Sequence, residues 1–389
     1  MKDLIDDCVH CGFCLPSCPT YALWEEEMDS PRGRIVLMKE LDGGRVSPEL
    51  VTHLDRCLGC MACVTACPSG VRYDRLIVQA RERLPRRRRE RLLLAALTRP
   101  RVLALARPLL PLARRLPRVG SLTPRTVRAA VPAVTLARGE RRGRVGLLLG
   151  CVQRAWFNQV NAAAAEVLSL EGWEVVAPAS VRCCGSLHLH QGFSEQAAAL
   201  ADSVRSAFAG CDHIVTTSAG CGSGLKEQGV AGAADVLELL AAHEPRAPRG
   251  PIERRVAYHD ACHLLHAQGI ATQPRDLLRG IPGLTLLEPA GQGTCCGSAG
   301  IYNLTQPGAA AALGRERARA LADTGAEAIA AANPGCALQI AAHARGLPVL
   351  HPVELLAESF RRATPPGATS VASIPGSGDR GDTRGVRRG

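Results

Sequence analysis

The stretch CVHCGFCLPSCP, from Cys8 to Pro19, places four cysteines within eleven residues. The same spacing, C-x2-C-x2-C-x3-C-P, returns in CLGCMACVTACP, from Cys57 to Pro68. Three thiolates on one tight loop bind three irons of a [4Fe–4S] cluster, and in proteins with two clusters the fourth thiolate binds the other cluster. The sequence therefore predicts two adjacent [4Fe–4S] clusters, an arrangement that suits an electron relay.

The fourth cysteine of each run precedes a proline, which restricts that cysteine to extended backbone conformations. We expect it to begin the next helix and to point away from its own loop. The predicted ligands of the first cluster are Cys8, Cys11, Cys14 and Cys67, and those of the second are Cys57, Cys60, Cys63 and Cys18. Two alternatives are a pair of zinc sites, which usually consist of separated C-x2-C pairs, and a structural cluster, which needs only one such run.

The 38 residues between Cys18 and Cys57 exceed what a minimal two-cluster protein needs. Within them, SPRGRIVLMKELDGG predicts a helix that has Ser30 as its N-cap, Pro31 at its first position and Gly43 at its end. We therefore expect residues 1–80 to form a mainly helical, ferredoxin-like domain with two clusters.

Residues 144–362 contain an internal repeat that predicts two α/β units. Each copy has an apolar segment that ends in a cysteine (RVGLLLGC, RVAYHDAC), then CCGS, then a second segment (HIVTTSAGC, AEAIAAANPGC). Strands that alternate with helices favour parallel sheets, whose functional groups gather at the carboxyl ends of the strands. The cysteines expected in loops at that edge are Cys151, Cys183, Cys184, Cys221, Cys262, Cys295, Cys296 and Cys336.

The basic character of the chain belongs to one segment. Residues 81–144 contain 19 Arg and 3 Glu, a net charge of +16, whereas the whole chain carries +11, so the rest carries −5. This Arg- and Pro-rich segment could dock an acidic partner, contact a membrane surface through residues 84–121, or pack as short helices on its own protein. Nucleic-acid binding is a weaker alternative, because aromatic residues make up only 3% of the chain, and we expect no nucleic-acid partner.

The remaining composition favours a reducing compartment. The first seven residues are acidic and do not resemble a signal peptide, and no apolar run reaches the roughly 18 residues of a membrane-spanning helix. In such a compartment 17 cysteines indicate metal or redox chemistry rather than disulfides. We expect a cytoplasmic protein, with peripheral contact at the inner face of the cell membrane as an option.

The quoted motifs, together with DSPRGRIVLMKE, HLDRCLGCMACVTACPSGVRYDRL and CCGSLHLHQG, resemble those of the iron–sulfur subunits of bacterial glycolate oxidases over almost the whole chain. The resemblance implies a subunit of an oxidoreductase complex acting on CH–OH donors. A partner subunit with FAD would oxidise glycolate to glyoxylate, or would oxidise D-lactate instead. This chain would pass the electrons to a quinone or another membrane acceptor. No G-x-G-x-x-G motif opens a strand–turn–helix unit here, which agrees with FAD on a partner only. We expect no catalytic residue in this chain.

The repeat resembles the cysteine-rich CCG domain, and this resemblance implies further metal or iron–sulfur centres. The full pattern of that domain ends in C-x2-C. This chain has Ser218 and Asn333 at the first of those positions. Four thiols per copy could still bind iron–sulfur or zinc, or could be buried core cysteines. Related alternatives are the iron–sulfur subunits of lactate or glycerol-3-phosphate dehydrogenases, or a disulfide reductase similar to heterodisulfide reductase, which the missing cysteines disfavour.

Five histidines lie near these cysteines and could bind metal or carry a proton, although a hydrogen-bonded loop histidine is the commoner role. They are His188, His190, His259, His263 and His266. Cys211 lies outside the repeat pattern, and we expect it in the core. The predicted organisation is a ferredoxin-like domain (1–80), a basic connector (81–143), two α/β repeats (144–245 and 246–362) and a disordered tail (363–389).

Overall fold

The N-terminal region is helical, as predicted. The computed structural model describes residues 1–85, 88–113, 115, 123, 127 and 129–363. The first six helices are α1 (Lys2–Asp6), α2 (Pro19–Trp24), α3 (Pro31–Asp42), α4 (Pro48–Asp55), α5 (Ala62–Thr65) and α6 (Tyr73–Arg83), with a 3-10 turn at Glu27–Asp29.

The capping signals in this region act as the sequence predicts. The Ser30 side chain accepts a hydrogen bond from the backbone N–H of Gly33, Pro31 occupies the first turn of α3, and Gly43 ends the helix. The apolar faces of α3, α4 and α6 then meet around fully buried Met38 and Leu54. This core holds both cysteine runs in place between helices.

The connector folds as short helices: α7 (Arg88–Leu97), α8 (Pro100–Leu105) and α9 (Leu110–Ala113), with a 3-10 turn at Arg107–Leu109. Leu94 and Leu103 are buried against the rest of the protein. Other apolar side chains of this segment are exposed, namely Leu92, Val102, Leu105, Leu109 and Leu112. The segment therefore packs on its own protein and also presents an apolar and basic surface.

The first repeat is an α/β unit with a five-stranded sheet. Its strands are β1 (Val134–Thr135), β2 (Gly143–Leu148), β3 (Trp173–Val176), β4 (His213–Thr216) and β5 (Ala233–Asp235). Its helices are α10 (Val152–Trp156), α11 (Asn158–Leu170), α12 (Ser186–Leu189), α13 (Ser194–Ala207), α14 (Ala219–Glu227) and α15 (Val236–Ala241). The strand order is β1-β3-β2-β4-β5, and all neighbours are parallel except β1 and β3.

The second repeat has the same topology without the antiparallel strand. Its strands are β6 (Arg254–His259), β7 (Leu284–Leu287), β8 (Ala328–Ala331) and β9 (Val349–Leu350), in the order β7-β6-β8-β9, all parallel. Its helices are α16 (Cys262–Gln268), α17 (Gln273–Arg279), α18 (Tyr302–Thr305), α19 (Pro307–Ala322), α20 (Pro334–Ala341) and α21 (Pro352–Ala363). The internal repeat of parallel α/β units is thus confirmed.

One apolar core joins the two repeats. It contains Val145 and Val175 from the first sheet and Val256 and Tyr258 from the second, all buried. The last helix, α21, packs against α11 of the first repeat. Because the core is continuous, the two repeats hold their strand ends in a fixed relation to each other.

Two further expectations concern membrane-spanning helices and the C-terminal tail. Among the described residues, no helix has the length and apolar character needed to cross a membrane. The tail predicted to be disordered lies outside the described residues, apart from Ala363, which ends α21.

Candidate iron–sulfur sites

The two cysteine runs of the N-terminal domain form loops of the same backbone shape. In the first loop His10 and Gly12 have φ of 54° and 87°, and in the second Gly59 and Met61 have φ of 62° and 64°. These are equivalent positions of the C-x2-C-x2-C motif. Left-handed residues at the same two places turn each loop tightly, which brings its thiols to one side.

The first set of predicted ligands lines one cavity near the surface. Its four members are Cys8, Cys11, Cys14 and Cys67. Cys11 is exposed and the other three are half-buried. On the same loop Val9 and Phe13 are 68% and 67% exposed. This set therefore lies beside an exposed apolar patch, which we call the Phe13 patch (Val9 and Phe13).

The second set lines a separate, buried cavity. Its four members are Cys18, Cys57, Cys60 and Cys63, and all four are buried. Burial opposes ionisation of Cys57, but the charges of Arg34 and Arg81 lower the pKa of this thiol below its usual value. Positive charge next to a buried thiolate set is what an anionic iron–sulfur cluster needs.

A buried ionic network fixes one of these charges. Asp29 is fully buried and accepts from Arg34 Nη2 at 3.2 Å and from Arg56 Nη1 at 2.7 Å, and it contacts His53 Nδ1 at 3.0 Å. Arg34 Nη1 lies 4.0 Å from Cys18 Sγ. The network therefore holds a cation beside the second set.

The fourth cysteines behave differently in the two runs. Cys18 is the extended N-cap of α2, as predicted. The expectation that Cys67 begins a helix is wrong: a turn follows it, in which Gly70 N–H donates to the Cys67 carbonyl, and α6 starts only at Tyr73. The cause is the sequence Pro68-Ser69-Gly70, which favours a turn. Cys67 nevertheless lines the first cavity, away from its own loop.

The second set contacts the second repeat directly. The thiols of Cys60 and Cys295 are hydrogen-bonded, and this contact, together with burial, raises the pKa of Cys60. Both residues belong to one apolar cluster with Tyr302, whose hydroxyl donates to the carbonyl of Arg56 at 3.1 Å. The sequence contains no signal for this contact, since the two cysteines are more than 200 residues apart.

The four cysteines of the first repeat come together, as the repeat pattern suggests. Cys183 Sγ lies 3.7 Å from Cys151 Sγ. Cys184 accepts hydrogen bonds from Cys183 and Cys221, which lower the pKa of Cys184. The contact with Cys151 is the main reason that the pKa of Cys183 is raised. One thiolate in this set is thus stabilised by its thiol neighbours.

The second repeat assembles the equivalent set. Cys262 is hydrogen-bonded to Cys295, which raises the pKa of Cys262, and Cys296 contacts both Cys295 and Cys336. A ring nitrogen of His259 and the Sγ atoms of Cys296 and Cys336 lie within 4.8 Å of one another, which makes this the candidate metal group among the described residues. All four cysteines are buried.

The expectation that all eight repeat cysteines lie in loops needs correction. Cys151, Cys183, Cys184, Cys295 and Cys296 do so, but Cys221, Cys262 and Cys336 lie in the first turns of α14, α16 and α20. Only two residues separate each strand from its helix, and the second of them is an extended N-cap (Ser218, Ala261 or Asn333), so the cysteine falls within the first turn. The cysteines still lie beyond the carboxyl ends of their strands, as expected.

The two positions that lack a cysteine meet each other. Ser218 donates a hydrogen bond from Oγ to Asn333 Oδ1 at 3.1 Å, and Asn333 Nδ2 donates to Cys336 Sγ at 3.5 Å. Here a polar contact between the repeats occupies the place where the full pattern has a fifth thiol in each copy. The chain therefore does not have the five-thiol sets of that pattern.

Three of the five histidines lie between domains. His190 and His263 stack with ring centroids 5.0 Å apart, and His263 Nδ1 lies 3.5 Å from Cys262 Sγ. His266 contacts Thr65 Oγ1 at 3.1 Å and the Gly293 carbonyl at 3.0 Å, so it is hydrogen-bonded, but it lies in α16 and not in a loop. Burial lowers the pKa of His188, whose Nδ1 has no hydrogen-bond partner among the described residues. Cys211 packs, half-buried, against the core of the first repeat.

A cavity of about 680 Å³ lies where the domains meet. Cys57 of the second set lines it, and so do the stacked pair His190 and His263. Connector residues Arg89 and Leu93 line it from α7. A volume of this size suits a small organic ligand.

Comparison with known proteins agrees with this architecture. A 4Fe-4S dicluster domain model matches residues 4–71, and a cysteine-rich (CCG) domain model matches residues 145–226 and again residues 256–341. These ranges contain all sixteen candidate cysteines named above.

Similar proteins extend over most of the chain. The glycolate oxidase iron–sulfur subunit of Escherichia coli (strain K12) is 35% identical, over 91% of this chain and 94% of that protein. A probable glycolate oxidase iron–sulfur subunit of Bacillus subtilis (strain 168) is 32% identical, over 86% and 88%. The fumarate reductase (CoM/CoB) of Methanothermobacter marburgensis has a subunit that is 36% identical, but over only 51% of this chain and 41% of that protein. The chain belongs to the family of glycolate oxidase iron–sulfur subunits.

Proposed function

We propose that this chain is the iron–sulfur electron-transfer subunit of a glycolate oxidase complex. A partner subunit with FAD oxidises glycolate to glyoxylate, or D-lactate in the related alternative, and this chain receives the electron pair one electron at a time. Each cluster, when bound, supplies reversible one-electron transfer. The observation that carries the proposal is the continuous series of thiolate sets, from the surface set through the buried set to Cys295.

The ligand sets assigned from the sequence agree with two separate cavities. Cys8, Cys11, Cys14 and Cys67 would hold the first [4Fe–4S] cluster. Cys57, Cys60, Cys63 and Cys18 would hold the second. Each four-thiolate set has the donor chemistry that a [4Fe–4S] cluster requires. The repeat sets Cys151, Cys183, Cys184, Cys221 and Cys262, Cys295, Cys296, Cys336 would hold further iron–sulfur or zinc centres.

The Phe13 patch supports an entry point for electrons at the first set. An exposed aromatic side chain beside an exposed cysteine loop is the type of surface that a partner covers. The flavin subunit would therefore dock there, with the first cluster nearest to it. The second cluster would then lie further inside, next to the repeats.

The acceptor would be a quinone that binds in the cavity between the domains. Its walls combine apolar side chains such as Leu93 with the imidazoles of His190 and His263, and it reaches Cys57 of the second set. A quinone ring needs apolar contacts and a few polar groups that orient it. Burial lowers the pKa of His263 to about 3, so its imidazole would act as a neutral hydrogen-bonding group. The exposed leucines and arginines of the connector would bring this cavity to the inner face of the cell membrane.

A disulfide reductase is the second candidate, and the arrangement of Ser218 and Asn333 disfavours it. Their hydrogen bond replaces the fifth thiol of both repeats. The five-thiol clusters that the resemblance associates with disulfide cleavage would therefore not assemble here.

The deciding experiment is iron and sulfide counting, with EPR of the anaerobically purified, dithionite-reduced full-length protein. We expect about eight irons from the two N-terminal clusters, and more if the repeats are filled. Little iron after anaerobic reconstitution would overturn the proposal. Zinc in place of iron would overturn it as well.

Membrane contact has its own test. Replacing Arg88, Arg89 and Arg91 with Gln should reduce sedimentation of the protein with vesicles that contain anionic lipid, because each basic residue contributes roughly 1 kcal/mol at such a surface. The matched control replaces Arg141, Arg142 and Arg144, which lie outside the connector helices. Equal sedimentation of both triple variants would contradict membrane contact through α7.

A further inference from the structure

His259 lies beside the thiols of the second repeat. It is the last residue of β6 and only 1% exposed. One of its ring nitrogens lies within 4.8 Å of the Sγ atoms of both Cys296 and Cys336. Its role is not explained by the repeat pattern, since that pattern concerns cysteines alone.

Arg317 fixes the tautomer of His259. The Nε–H of Arg317 donates to His259 Nδ1 at 3.0 Å, and an arginine is always protonated and has no acceptor. Nδ1 must therefore be unprotonated, so the neutral ring carries its proton on Nε2. That Nε2–H is buried and has no hydrogen-bond partner among the described residues. It is a donor that still needs an acceptor.

Arg317 is itself a buried cation with an unused donor. It is 2% exposed, and its Nη1 donates to the carbonyls of Ala290 and Gly291 at 3.0 and 2.8 Å. Its Nη2 has no partner in the described part of the chain. The nearby carboxylate of Asp260 is already paired with Arg275, at 2.8 Å. A buried charge is costly unless an opposite charge accompanies it, so this pocket favours an anion.

The first repeat has apolar residues at both equivalent positions. Leu148 ends β2 as His259 ends β6, three residues before the first cysteine in each case. Gly185 lies against the carbonyl of Ala197, and Gly297 lies against the carbonyl of Ala310 in the same way, so these two alanines occupy equivalent positions in the repeats. Seven residues beyond these alanines lie Val204 and Arg317. Leu148 and Val204 pack in one apolar cluster with Cys151, Cys183 and Cys184.

We propose that His259 and Arg317 form a donor pair that hydrogen-bonds an anionic iron–sulfur centre held by the second repeat, and that this pair makes the centre easier to reduce than that of the first repeat. The inference rests on the proposed function, since it requires a centre at Cys262, Cys295, Cys296 and Cys336. His259 acts as a donor and not as a metal ligand, because Arg317 occupies Nδ1 and the proton occupies Nε2.

The direction of the effect follows from charge. Reduction adds negative charge to the centre, and hydrogen bonds or cations close to its sulfurs stabilise the reduced form. The second repeat supplies two donors and one positive charge, whereas the equivalent positions in the first supply only methyl groups. Electrons would therefore rest preferentially on the centre that contacts Cys60 of the second N-terminal set.

The test gives the second repeat the residues of the first. The double variant His259→Leu, Arg317→Val replaces both partners with apolar groups, which avoids leaving one of them unpaired. We expect its iron content to equal that of the wild type. In an EPR-monitored redox titration of the anaerobic holoprotein, one signal should move to a lower midpoint potential and the others should stay. Leu148→Met, at the equivalent position of the first repeat, is the matched control. In this variant the signal that the double variant shifts should keep its wild-type midpoint potential.

Three outcomes would overturn the inference. Unchanged midpoint potentials in the double variant would remove the role of the pair. Loss of iron in His259→Leu alone would indicate that His259 is an iron ligand and not a hydrogen-bond donor. A wild type with only about eight irons would overturn this inference and leave the proposed relay intact. If the double variant does not fold, His259→Gln, whose amide is a weaker replacement donor, should shift the same signal by a smaller amount in the same direction.

Discussion

The two cysteine sets of the N-terminal domain share one spacing and one loop conformation, but they differ in their surroundings. The first set lies at the surface beside Phe13, with Cys11 exposed. The second set is buried, has Arg34 close to Cys18, and contacts Cys295 of the second repeat. The same motif therefore forms both an exposed site and a buried site in this domain. The difference comes from what packs against each loop and not from the loop itself.

The largest expected effect tests which cysteine belongs to which set. Cys18→Ser changes the first run, yet we expect it to abolish the same EPR signal as Cys60→Ser, in the second run. The reason is that Cys18 lines the second cavity. Each variant should lose about four irons. Cys67→Ser should instead match Cys11→Ser.

The control for these variants is Cys211→Ser, which lies outside both sets and should keep the full iron content. If Cys18→Ser and Cys11→Ser remove the same signal, the assignment of ligands across the two runs is wrong.

The next effect concerns the buried ion network. Arg34→Met leaves the buried carboxylate of Asp29 without one of its partners, so we expect it to lower the free energy of unfolding by about 3–5 kcal/mol. Denaturant unfolding of the anaerobic protein measures this. Arg32→Met is the matched control, because Arg32 pairs with Glu27 at the surface and such pairs contribute little. Equal stability of the two variants would contradict the expected difference between a buried and an exposed ion pair.

A smaller effect should appear in partner binding. Phe13→Asp removes the aromatic side chain of the Phe13 patch, and we expect roughly tenfold weaker binding of the flavin subunit, since an aromatic contact in an interface commonly contributes more than 1 kcal/mol. Surface plasmon resonance with the co-purified partner measures it. Val46→Asp, at another exposed apolar position, should bind normally. Normal binding by Phe13→Asp would place the entry point elsewhere.

The smallest expected effect is at the junction with the second repeat. Tyr302→Phe removes the hydrogen bond to the Arg56 carbonyl and should lower the free energy of unfolding by about 1 kcal/mol, with iron content unchanged. Tyr21→Phe, on the half-buried Tyr21 of α2, is the control. A loss of iron in Tyr302→Phe would mean that this contact positions the Cys57 loop more strongly than a single hydrogen bond implies.

Local features of the fold could be predicted from the sequence because neighbouring residues decide them. The spacing of the cysteine runs, the Ser30 cap and Pro31 of α3, and the apolar strands before Cys151 and Cys262 are all encoded within a few residues. Even here a local competition mattered: Pro68 and Gly70 make a turn where a helix was expected after Cys67.

Two cysteine runs suited to clusters follow from the sequence alone, and so do two α/β repeats that each have a cysteine just beyond two of their strands. Three contacts between distant residues arise only when the chain folds: Cys60 with Cys295, Ser218 with Asn333, and His259 with Arg317. Each of these pairs joins residues at least 58 positions apart, and no periodic pattern links such positions. Burial, which sets the cost of an unpaired charge or donor, exists only once the domains pack together.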